Sequence, residues 1–159
     1  MHYTGSVSVA PELSSTGCTC FRLRKLARRV SRIYDAELAA VGLRVTQYSL
    51  LATVARSGGA ALAELAERME MDRTTLSRNL QPLLAQGLLS LGSDPVDARR
   101  RVASATVEGR ARLRAATPAW RRAQRTTEAL LGPDDVGHLH HTVDAALSRL
   151  RAASEPEHP

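Results

Sequence analysis

The sequence predicts a mainly α-helical fold with a small β-hairpin wing: a winged helix-turn-helix set between N- and C-terminal helices. Three observations predict it. Two short segments with apolar residues at helical spacing meet at a tight turn, and Asp72 stands in the cap position of the second. A polar loop, residues 93–101, follows directly and separates two strand-like runs. Long stretches on both sides repeat apolar residues at three- and four-residue steps, the period of an amphipathic helix.

Taken in order, residues 1–17 are rich in Ser, Thr and Gly and read as a flexible arm. They lack the basic start and apolar stretch of a signal peptide. From residue 18 to 41, Leu23, Leu26, Val30, Ile33, Tyr34 and Leu38 mark one helical face, Arg22, Arg28, Arg29 and Arg32 the other, and Gly42 ends the run. A second helix over 46–56 turns Leu50, Leu51 and Val54 inward and stops at Gly58-Gly59. Residues 61–69 form a short helix through Leu62, Leu65, Ala66 and Met69. Asp72 then caps the helix over 73–84, with Leu76, Leu80, Leu83 and Leu84 inside and Gly87 at its close. Strands are expected over 88–91 and 102–107. A helix follows over 108–131, bent at Pro118. The last helix starts after Gly132-Pro133 and carries Val136, Leu139, Val143, Leu147 and Leu150, before a frayed tail at 154–159.

This divides the chain into support helices (18–57), a head (58–107) and C-terminal helices (108–153). Long amphipathic helices at both ends of a small head must bury their apolar stripes, and the same helices of a second copy are the economical partner. A two-fold homodimer would then set two heads on a palindrome.

Composition narrows the function. The net charge is +6, and every basic residue except Lys25 is arginine, which suits phosphates and guanine edges. Aromatic residues make up 3%, a poor supply for stacking single-stranded bases, so double-stranded DNA is the expected partner. No apolar run approaches the ~20 residues of a membrane span, and a cytoplasmic protein with Cys18 and Cys20 as thiols is expected. No phosphate-cradling glycine loop, zinc-protease motif or nucleophile turn is present, so neither an enzyme nor a cofactor is expected. The start of the helix after Asp72 offers Arg73, Thr74, Thr75, Ser77, Arg78 and Asn79 to the major groove. Arg99, Arg100 and Arg101 make the loop after it basic. A low-specificity nucleoid-type protein would use the same head, and a protein-only interaction domain is a third reading.

Leu62-Ala63-Glu64-Leu65-Ala66, Thr75-Leu76-Ser77-Arg78, Leu83 through Gly87-Leu88-Leu89, and the wing pattern of Asp94, Asp97 and Arg99 followed by Thr106-Val107-Glu108-Gly109-Arg110 occur in one order and spacing. In these motifs the chain resembles the MarR family of regulators, over about residues 20–150. The resemblance implies a helical dimerisation part, a winged head, an operator, and repression relieved by a ligand or by cysteine oxidation. It implies that Arg99 is the wing-tip arginine at the minor groove and that Asp97 braces it by a charge-assisted bond. Two departures stand out: Ala61 replaces the usual Ser or Thr cap, and Pro82 lies inside the recognition helix.

The releasing signal stays open between readings. Cys20, with Cys18 beside it, lies at a helix start, which favours thiolates. Its spacing to Tyr34 resembles the organic-peroxide-sensing branch, where a matching tyrosine bonds the cysteine. The second tyrosine of that branch is Arg24 here. Tyr34, Tyr48 and Trp120 are candidates to line a small-molecule pocket or to pack as core. His138, His140 and His141 lack a surrounding ligand set, and a solvated helix face is preferred to a metal site.

Overall fold

The computed structural model describes residues 17–94, 97 and 99–154. The expected arm and tail therefore lie outside the described residues, apart from Gly17 and Ser154. Helix α1 spans Thr19–Leu38 and α2 Val45–Arg56. Between them a short 3-10 turn ends at Gly42, whose φ of +69° suits a residue without Cβ. The start of α2 is satisfied from two sides. Gln47 Oε1 accepts from the Arg44 amide at 2.8 Å, and Asp35 Oδ1 of α1 accepts from the Val45 amide at 2.7 Å. These bonds answer the free amides of a helix start and fix the corner between the two helices.

The head follows: β1 Ala60–Ala61, α3 Leu62–Arg68, α4 Arg73–Ala85, β2 Leu89–Ser93 and β3 Arg101–Ala105. The sheet has three antiparallel strands in the order β1-β3-β2, with Ala60 opposite Ala103 and Leu89 opposite Ala105. The hairpin was expected and β1 was not. Its two alanines carry no alternation and no β-branched side chain, so it leaves no trace in the pattern. Ala61 is a buried strand residue as well as the residue before α3, and its side chain makes no cap bond.

Pro82 does not break α4, which runs on to Ala85. The helix closes by a Schellman turn: Leu88 N–H reaches Leu83 O at 2.9 Å and Gly87 N–H reaches Leu84 O at 2.9 Å. The strand expected to reach residue 107 stops at Ala105, because Thr106 caps α5 (Val107–Leu131), accepting from the Gly109 amide at 2.9 Å. The Thr106 hydroxyl also donates to Gly87 O at 2.7 Å, pinning α5 to the end of α4. Gly109 completes the junction, since a Cβ there would stand 2.0 Å from Leu88 O.

Helix α5 runs unbroken through Pro118, which is exposed. Its buried face is small, with Ala116, Ala119, Ala123 and Thr127, so α1 can lie close against it. Arg122 of α5 donates to Glu37 of α1 at 2.8 Å. Helix α6 spans Pro133–Ser154. The core is one cluster in which Leu50, Leu51 and Val54 of α2 meet Leu65, Leu76, Leu83 and Leu88 of the head and Leu38 of α1. Phe21, Leu23, Leu130, Val143, Leu147 and Leu150 stay exposed on α1, α5 and α6. Among the described residues no single helix is long and apolar enough to cross a membrane.

Candidate nucleic-acid interface

Asp72 is the N-cap of α4, as its place in the sequence predicts. Its Oδ1 accepts from the Thr75 amide at 2.8 Å and its Oδ2 from the Thr75 hydroxyl at 2.7 Å. These bonds to the ionised form hold the Asp72 carboxyl below its ordinary pKa. The cap starts the helix so that Arg73, Thr74, Ser77 and Arg78 all project into solvent. The other two residues proposed for this face are half-buried and bonded within the helix start. The Thr75 hydroxyl is committed to Asp72, and Asn79 Nδ2 donates to Thr75 O at 2.9 Å.

The wing is closed by its own main chain: the Asp94 amide donates to Arg100 O and the Arg100 amide to Asp97 O, both at 2.9 Å. Asp97 braces Arg99 differently from the expectation. Its Oδ1 accepts from the Arg99 backbone amide at 3.0 Å, not from the guanidinium. A carboxylate two residues back reaches an amide more readily than the end of a long side chain. Arg100 is already engaged, since its Nη2 lies 2.6 Å from Glu64 Oε1 of α3. Nothing in the sequence pattern marks that pair, which joins residues 36 positions apart.

A cavity of about 400 Å³ opens between α4 and the wing. Arg73 and Ser77 line it from the helix, and Arg99, Arg100 and Arg101 from the wing, with Leu80 and Leu91 between. Four arginines around one concavity form a positive focus suited to a polyanion.

The sensor candidates fall elsewhere. Cys18, not Cys20, is the N-cap of α1, and its sulfur accepts from the Phe21 amide at 3.4 Å. Both cysteines are exposed and free. Tyr34 lies on the same helix, about 21 Å from Cys20 at 1.5 Å per residue, and its hydroxyl donates to Gln124 Oε1 of α5. Burial above all pushes its phenol pKa up. The three rings proposed for a pocket do meet. Tyr48 stacks on Trp120 at 6.0 Å and Tyr34 tilts against it at 6.3 Å, so in this state they fill the space between α1, α2 and α5 with each other. His138, His140 and His141 lie close together in the first half of α6, and among the described residues no group of three or more His, Cys, Asp or Glu is placed to hold a metal ion.

The MarR family profile matches residues 41–100, from the turn before α2 to the loop before β3. The transcriptional regulator MosR of M. tuberculosis, solved in complex with DNA, is 34% identical over 81% of this chain and 98% of its own, with a TM-score of 0.67. The chain belongs to the MarR family. A probable transcriptional regulator from Pseudomonas aeruginosa is 28% identical over 84% of this chain and 97% of its own, with a TM-score of 0.70. CouR from Rhodococcus jostii, solved bound to p-coumaroyl-CoA, is 25% identical over 80% of this chain and 90% of its own, with a TM-score of 0.67. No curated protein sequence matches the chain. Family and fold are those of DNA-binding transcriptional regulators, not of enzymes. In this MarR chain α4 is the second helix of the helix-turn-helix and the β2–β3 hairpin the wing.

Proposed function

We propose that this MarR-family chain is a homodimeric, sequence-specific repressor that reads a palindromic operator and is released by a small-molecule effector. The observation that carries the reading is the joint display of Arg73, Thr74, Ser77 and Arg78 on one exposed face of α4 beside the arginines of the wing. The helix start enters the major groove, where Arg73 and Arg78 can each give two donors to a guanine edge. Arg99 sits at the wing tip for the minor groove, and Arg100 and Arg101 face phosphates. Thr75 and Asn79 support the helix start from within. Exposed apolar side chains on α1 and α6 support the homodimer. A dimer would place two heads one helical turn apart on DNA.

An effector that enters beside Tyr34, Tyr48 and Trp120 would separate rings now in contact and so shift α1 and α5 against α2. The p-coumaroyl-CoA bound to CouR supports a small organic ligand as the class. Oxidation of Cys18 or Cys20, as in the organic-peroxide-sensing branch, is a second reading. It is favoured by the exposure of both thiols and by the Cys18 sulfur at the cap of α1.

Selection of bound duplexes from random-sequence DNA tests the first reading. Recovery of a palindrome is expected, and flat, salt-dependent affinity for unrelated duplexes would instead indicate a nucleoid-type protein. Diamide or peroxide added to the complex tests the second. Release that persists in Cys18→Ser/Cys20→Ser would exclude the cysteines.

A further inference from the structure

Helix α6 begins at the far end of α5 and finishes beside the head. Its last turn carries Arg151, whose Nε donates to Oε1 of Glu70. Glu70 belongs to the link between α3 and α4, the turn of the helix-turn-helix. Met71 N–H reaches Ala66 O at 2.9 Å and Glu70 N–H reaches Glu67 O at 3.1 Å, the paired bonds of a Schellman turn. Glu70 takes φ +51° there, the one non-glycine with positive φ among the described residues. Glycine holds this conformation without strain and glutamate does not, so local backbone preference does not account for the side chain. Three residues later α4 begins. Beside the ion pair, Leu147 of α6 and Ala66 and Met71 of the head line an open groove of about 520 Å³. An open groove leaves the ion pair as a polar strut between the helix and the turn.

We propose that Arg151 and Glu70 are positioning residues that set operator spacing. The pair ties the end of the C-terminal helix to the turn from which the recognition helix starts. The inference rests on the dimeric, operator-reading function proposed above. In such a dimer α6 belongs to the scaffold that joins the two copies, and α4 is otherwise held through its buried face on α2, α3 and β2. A further attachment from α6, at the reading end, restricts how that end can swing relative to the scaffold. The distance and angle between the two recognition helices, which must match half-sites one helical turn apart, then depend on it. Both side chains are about half exposed, at 58% and 47%. An exposed pair of this kind adds little to fold stability, so its loss should loosen the head without unfolding it.

The test is fluorescence anisotropy on a palindromic duplex selected with the wild-type protein, and on the same duplex with two base pairs inserted at its centre. The wild type should bind the lengthened duplex about tenfold or more weaker, since the half-sites leave their helical phase. Arg151→Ala should keep its affinity for the unaltered duplex and its melting temperature, and lose threefold or less on the lengthened one, on the order expected for a freed head. Glu70→Arg/Arg151→Glu, which reverses the pair at unchanged net charge, should restore the wild-type penalty. A wild-type penalty that persists in Arg151→Ala overturns the inference alone, as does an equal loss on both duplexes, which marks a merely structural role. A wild type that shows no spacing penalty overturns the inference and the dimeric reading together.

Discussion

At Gly109 one absent carbon joins the wing to the helix that leaves it. A Cβ would meet backbone, at 2.0 Å from Leu88 O, with Leu51 Cδ1 at 3.2 Å behind it. Gly109→Ala should therefore destabilise the chain by about 3 kcal/mol or more, the upper range for overpacking, measured by chemical denaturation. Asp72 gives a pH prediction. Its folded pKa is lowered, first by the Thr75 amide and next by the Thr75 hydroxyl. Its capping contribution is thus fully present above the unfolded value of about 3.9 and is lost as pH falls through the lower folded value. The protection factor of the Thr75 amide, its exchange rate set against that of an unstructured amide at the same pH, should fall in that acid window in the wild type. In Asp72→Asn, a neutral cap, the protection factor should stay level across that window. The residues that sequence reading missed, Glu64 and the Glu70–Arg151 pair, bond partners 36 and 81 positions away, a distance at which no local pattern operates.

At the scale of elements, α1 to α6 and the β2–β3 hairpin were legible because leucines recur at helical spacing and because Asp72, Gly42 and Gly87 mark ends by known cap chemistry. What was not legible had no side-chain signature: β1 is two alanines, and the 3-10 turn at Ala39–Val41 is a continuation of the α1 pattern. The start of α1 falls where the pattern put it, and the sulfur at its cap is that of Cys18. The six residues proposed from α4 divide by helical angle. Arg73, Thr74, Ser77 and Arg78 share the exposed face, while Thr75 and Asn79 bond within the turn. Pro82 deprives α4 of one backbone bond on an exposed face. Pro82→Ala should raise stability by about 1–3 kcal/mol in thermal denaturation and leave base preference unchanged. In the wing, Arg100 must share or release Glu64 before it meets a phosphate. Arg100→Ala should therefore weaken DNA binding less than Arg99→Ala, read from affinities at one salt concentration.

The whole molecule joins a head that gathers arginines around one concavity to a helical scaffold whose own apolar stripe is incomplete. Leu23 on α1 is 52% exposed and Leu150 on α6 is 66% exposed. If these faces close on a second copy, Leu23→Glu should shift the protein to monomer in sedimentation velocity. DNA affinity should fall with it, because a single head forfeits the second half-site. In the proposed dimer the scaffold would hold two copies of α4, each beside its basic concavity, against duplex DNA. The most direct measurement compares wild type, Arg78→Ala and Arg99→Ala on the selected palindrome and on a scrambled duplex, at two salt concentrations. Arg99→Ala should weaken binding to both duplexes and lower the salt slope by about one. Arg78→Ala should lose about 1–3 kcal/mol of discrimination between them. Unchanged affinity in Arg99→Ala together with unchanged discrimination in Arg78→Ala would contradict the account.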